Sequence, residues 1–99
     1  MDSWVYAMFI ERGKTYNKMT MAVVERHVEN LRRLDEAGKM ELCGVFKGYP
    51  GVAGMVLIRA ESLEEADAIC KQEPLVVEGY ATYKLRPLQL ANKENNYLL

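Results

Sequence analysis

Two apolar runs of seven residues, Trp4 to Ile10 and Val52 to Ile58, constrain this chain more than any other feature. Each is rich in branched and aromatic side chains, too short for an independent helix and bounded by polar or turn-forming residues, so each reads as a strand. In both, apolar side chains occupy both parities. Trp4, Tyr6, Met8 and Ile10 alternate with Val5, Ala7 and Phe9, and Met55 and Leu57 alternate with Val56 and Ile58. Successive strand residues point to opposite faces, so the sheet built from these strands has two faces that need cover. A half-solvated antiparallel face would alternate with polar residues instead.

The intervening segments supply cover for one face. From about Thr20 to Ala37, Val24, His27, Leu31 and Leu34 recur at spacings of three and four and Gly38 follows as a stop, which predicts an amphipathic helix. Met40 to Lys47 and Val52 to Ala60 predict two strands joined as a hairpin by Gly48-Tyr49-Pro50-Gly51. Ser62-Leu63-Glu64-Glu65 is a capping box that opens a second helix with the stripe Leu63, Ala66, Ile69 and Cys70. Pro74 disfavours helical geometry at Glu73, so that helix should end near Gln72. A last strand, about Tyr80 to Leu85, closes at Arg86-Pro87, and residues 88–99 form a tail.

The order is βαββαβ, an α+β, ferredoxin-like arrangement with four antiparallel strands in one sheet and both helices on one side. At 99 residues one core and no second globular unit are expected, so the second face needs another kind of cover. Residues 1–87 are read as the domain. The second face predicts a homodimer, because a two-fold interface uses the same patch twice; the alternative is a monomer whose tail folds over the sheet.

Thirteen Lys and Arg against fourteen Asp and Glu leave no positive surplus for phosphates, so nucleic acid is not an expected partner. Runs of seven apolar residues fall well short of the roughly 20 needed to span a bilayer. The start, Met1-Asp2-Ser3, lacks the basic region of a signal peptide, and a cytoplasmic location is expected. Cys43 and Cys70 form no CxxC pair and are expected as buried thiols. With no Gly-rich phosphate loop and no metal-ligand cluster, neither a cofactor nor a metal is expected.

His27, the one histidine, lies on the sheet-facing stripe, where an imidazole is partly buried. Histidine as a residue type has an unperturbed pKa near neutrality, which suits proton transfer. A lone histidine on an apolar face is more often structural, so a catalytic role needs a partner. Glu73 is the candidate: it is read at the C-terminal end of the second helix, a poor place for a carboxylate, with Pro74 fixing the chain just beyond. If the helices bring the two together, Glu73 would hold the ring and set its tautomer. Tyr6, Phe46 and Tyr83 are candidate substrate-binding residues for a small-molecule ligand, against the plainer reading of core or interface aromatics.

The stretch from His27 through Glu36-Ala37-Gly38-Lys39, followed by Glu61-Ser62-Leu63-Glu64-Glu65-Ala66, Glu73-Pro74, Gly79 and Arg86-Pro87, resembles the YciI-like (YCII-related) family over residues 4–87. The resemblance implies a dimeric α+β barrel. It also implies a catalytic dyad of a histidine and an aspartate before proline; His27 matches the first, while Glu73 stands where Asp is usual. The implied activity is isomerase-, lyase- or dehydrochlorinase-like proton transfer on a small organic acid or quinol. A non-catalytic metabolite-binding or dimeric assembly module is the competing reading.

Overall fold

The computed structural model describes residues 4–99. Its elements are β1 (Trp4–Arg12), α1 (Met21–Glu36), β2 (Met40–Val45), β3 (Val52–Ile58), α2 (Leu63–Lys71), α3 (Pro74–Val77) and β4 (Ala81–Gln89), with 3-10 turns at Tyr16–Lys18 and Lys93–Leu98. The strands pair in the order β2-β3-β1-β4, every neighbouring pair antiparallel. This is the α+β, ferredoxin-like arrangement, with one short helix, α3, that the sequence pattern did not predict.

Local chemistry sets the helix ends. Thr20 caps α1 by accepting from the Val23 amide at 3.3 Å, and Gly38 turns the chain away with φ +72°. At the start of α2, Ser62 Oγ accepts from the Glu65 amide at 3.0 Å, while Glu65 Oε1 accepts from the Glu61 amide at 2.6 Å. That amide bond, aided by Lys39, holds the Glu65 carboxyl below its usual range. The last strand runs through Arg86-Pro87 to Gln89 rather than closing there. It is an edge strand, where a residue without an N–H is tolerated.

The helix-side core joins Met8, Ile10, Val56 and Ile58 of the central strands to Val23, Ala66, Cys70 and Leu75. Burial on α1 is deepest at Val23 and Asn30, one position off the predicted stripe, while His27, Leu31 and Leu34 are half-buried. Because α1 packs against α3 as well as the sheet, its buried arc is wider than the stripe needed for a sheet alone.

The second face carries a smaller cluster. Val5, Ala7 and Leu57 are buried there, with Phe9, Met55 and Leu90 packed against them. Leu90 follows β4, so the C-terminal segment covers part of the face predicted to be free. Leu42 and Leu88 stay about half exposed. The cysteines also part company: Cys70 is fully buried, which pushes its thiol up to about 12, whereas Cys43 is exposed. The expectation of two buried thiols fails at Cys43 because β2 is an edge strand exposed from Glu41 to Val45.

Candidate active site

His27 and Glu73 meet: the imidazole Nδ1 and the carboxylate Oε1 are hydrogen-bonded across 46 positions of sequence. The placement of Glu73 corrects the sequence reading. Helix α2 stops at Lys71, and Glu73 takes the extended conformation (φ −63°, ψ 124°) that a residue before proline prefers. Pro74 then opens α3 as its first residue, so Glu73 is the N-cap of a new helix rather than the end of the old one. Its Oε2 accepts from the Leu75 amide at 2.5 Å. The position is therefore a favourable one for a carboxylate.

Burial makes this arrangement obligatory. Glu73 is 2% exposed, and a carboxylate at that depth must be partnered. One oxygen is taken by the Leu75 amide and the other by His27. A carboxylate at Nδ1 selects the tautomer with the proton there, leaving Nε2 as the ring's acceptor when neutral. A second bond, Arg26 Nε to Glu78 Oε2 at 3.1 Å, ties α1 to the residue after α3 on the exposed side.

His27 lines a cleft of about 100 Å³ between α1 and the β2–β3 side of the sheet. Its walls include Tyr16, Leu31, Val45, Val56 and Leu75, with Cys43 at the edge strand. The floor is bare at Gly54, which lies in register between Ile10 of β1 and Val45 of β2 on the helix side of the sheet. At Gly54 no side chain fits: a Cβ would lie 2.5 Å from the Gly44 carbonyl oxygen.

The three aromatic candidates lie elsewhere. Tyr6 is half-buried against the helix-side core, opposite Ile58 and Pro87, whereas the cleft floor lies near Ile10 and Gly54. Tyr83 sits on β4, its hydroxyl donating to Asp67 Oδ1 at 2.5 Å in a separate cleft between α2 and β4. Phe46, just past β2, packs edge-on against Tyr49 with ring centroids 5.1 Å apart. None of the three lines the His27 cleft. The aromatic that does is Tyr16, carried to the helix side by the turn at Tyr16–Lys18, with the Arg12 guanidinium 5.4 Å from its ring centre. No local pattern in Gly13-Lys14-Thr15-Tyr16 marks that return; for Gly54 the available signal was a glycine inside an otherwise apolar strand, which points to a close backbone approach.

A model of the YCII-related domain matches residues 5–89. The chain belongs to the YCII-related family. A Bacillus subtilis (strain 168) relative, "Uncharacterized protein YjpA", is 31% identical over 87 residues, covering 88% of this chain and 96% of that protein. Among solved structures, 5-chloro-2-hydroxyhydroquinone dehydrochlorinase (TftG) from Burkholderia phenoliruptrix AC1100, in complex with 2,5-dihydroxybenzoquinone, superposes with a TM-score of 0.64. The match is 12% identical and covers 91% of this chain and 97% of that one, a likeness of fold. The de novo designed protein Ferredog-Diesel matches at TM-score 0.52 and 18% identity over 87% of this chain and 86% of its own.

In this YCII-related chain, no group of three or more His, Cys, Asp or Glu among the described residues is placed to hold a metal ion. No helix among them is long and apolar enough to cross a membrane.

Proposed function

We propose that this YCII-related chain is an enzyme that moves a proton on a small organic molecule, with His27 as general base and acid and Glu73 as the residue that positions it. The observation that carries this reading is the bond from the buried Glu73 to His27 Nδ1 at the wall of an apolar cleft. Nε2 would take a proton from a hydroxyl or activated carbon, and the freed electron pair would form the new double bond. The proton then returns at another atom, or a leaving group departs, giving isomerase-, lyase- or dehydrochlorinase-type outcomes from one arrangement. The likeness to a fold that binds a benzoquinone in TftG supports a small-molecule ligand.

The working unit we infer is a cytoplasmic homodimer joined through the second sheet face, supported by the exposed Leu42 and Leu88 beside the buried Val5–Leu57 cluster. Light scattering at micromolar concentration tests this; a mass near 11 kDa counts against it.

The test of the catalytic reading is a proton-exchange screen. Small carbon acids and ring hydroxyl compounds are incubated in deuterated buffer, and deuterium incorporation is followed by NMR for the wild type and His27→Gln. General acid–base catalysis contributes about 10²- to 10⁴-fold, so incorporation should fall by at least about that lower factor in the variant. In parallel, the imidazole ¹⁵N shifts should show the Nδ1–H tautomer in the wild type and a changed population in Glu73→Gln. Equal exchange in both proteins, or an Nε2–H ring in the wild type, overturns the reading.

A further inference from the structure

The cleft that presents His27 is unusual for an enzyme site in what its walls lack. Among the described residues, its lining holds no Lys, Arg, Asp or Glu. Three charged residues bonded to or adjoining its lining are already engaged. Glu73 has one oxygen on the Leu75 amide and the other on His27. Arg26 is held by Glu78, and Arg12 lies over the Tyr16 ring while donating to the Tyr49 carbonyl at 3.3 Å. A protonated His27 would not change this, because Glu73 beside it leaves the pair without net charge.

Size and shape narrow the occupant further. A volume of about 100 Å³ is of the order of the ~150 Å³ cavity that admits benzene in an engineered protein, the scale of a single ring. Gly54 leaves bare backbone in the floor, and the bar on a Cβ there keeps it flat. Around it stand the aliphatic side chains of Ile10, Leu31, Val56 and Leu75. A carboxylate, phosphate or ammonium entering here would leave water for surroundings with no counter-charge, at a cost of several kcal/mol per ion.

Resting on the proton-transfer reading of His27, we propose that the cleft takes a substrate one ring in size with no fixed charge, a ring hydroxyl or ring ketone, and rejects organic acids. Recognition is apolar contact with the walls and floor plus one hydrogen bond at His27. This selects between the two substrate classes that the family resemblance leaves open.

The probes are phenol, 4-hydroxybenzamide and 4-hydroxybenzoate, the last two equal in size and different in charge at neutral pH. Each is titrated into the full chain while the Gly44 and Gly54 amide resonances are followed. Phenol and the amide should shift both glycines, and the benzoate should bind at least about tenfold more weakly than the amide, a difference of about 1.4 kcal/mol or more. Val45 stands at the cleft and is 73% exposed, so Val45→Lys should fold normally and bring benzoate binding up to the level of the amide. Benzoate binding equal to or tighter than the amide in the wild type overturns the proposal, as does the absence of any shift at Gly44 and Gly54 with phenol. The His27→Gln variant separates the two readings. Charge selectivity retained in the variant, with unaltered proton exchange, would sink the catalytic role and leave the substrate preference standing.

Discussion

Two carboxylates from the same stretch of chain, Asp67 in α2 and Glu73 just beyond it, each hold a ring on another element, and they do so under opposite conditions. Asp67 is half-buried and accepts from Tyr83 of β4, with Lys71 at 3.1 Å. The Tyr83 hydroxyl and then Lys71 hold its carboxyl below the usual 3.8, while burial and then the Asp67 bond push Tyr83 up to about 12. Glu73 is 2% exposed and has only an amide and an imidazole. Water replaces a lost partner at Asp67; nothing replaces one at Glu73. One pair clamps a helix to an edge strand, while the other sets a titratable ring at the wall of an open cleft.

The contrast is broken most directly by truncating each carboxylate. Glu73→Ala strands the Leu75 amide and the His27 ring and should lower the unfolding free energy by about 3 kcal/mol, read as a drop in urea midpoint at constant slope. Asp67→Ala should move the midpoint far less. If the two losses are equal, burial is not what separates the pairs. Next in size is Gly54→Ala, whose Cβ meets backbone at 2.5 Å; overpacking of this kind costs about 2 kcal/mol, and the same variant should close the cleft floor to phenol.

Alkaline titration reads the Tyr83 side of the comparison. A group whose folded value is raised contributes stability below its unfolded value and loses it as pH rises toward the folded one. For Tyr83 that window runs from about 10 to about 12, and for Cys70 from 9.0 to about 12. The thermal midpoint should therefore fall across this range, less steeply in Tyr83→Phe. An unchanged slope in that variant would mean that neither burial nor the Asp67 bond raises Tyr83 in solution. Asp67 has the opposite sign, its contribution being present above about 3.8 and lost in stronger acid. Smallest of all is Cys43→Ser, which should leave stability within about 0.5 kcal/mol; a thiol reagent should modify Cys43 in the native protein and Cys70 only on unfolding.

The strands and helices were legible because their signals are local. The short branched and aromatic run Trp4–Ile10, the Thr20–Ala37 stripe and the Ser62–Glu65 box each act within a few residues. The partnership of His27 and Glu73 was legible only as a question, and its geometry was misread: Pro74 was seen as a terminator of α2 when it also starts α3. Tyr6, Phe46 and Tyr83 carried the composition of a binding site without its location, since alternation assigns a face and not a position along the sheet. Tyr16 and Cys43 gave no such signal. One reaches the cleft by a turn, and the other by lying on an edge strand the helices do not cover.

The sequence by itself determined the family, the order of elements and a sheet with two apolar faces, because propensity, capping and alternation are properties of neighbouring residues. Tertiary structure decided where the cleft opens, which aromatic lines it and how part of the second face is covered by Leu90. It also turned a carboxylate that looked misplaced into a helix cap with a second bond to spare. That last step depends on burial, which no window of sequence contains: depth in the core is what obliges both oxygens of Glu73 to find partners, and the fold offers His27 as one of them.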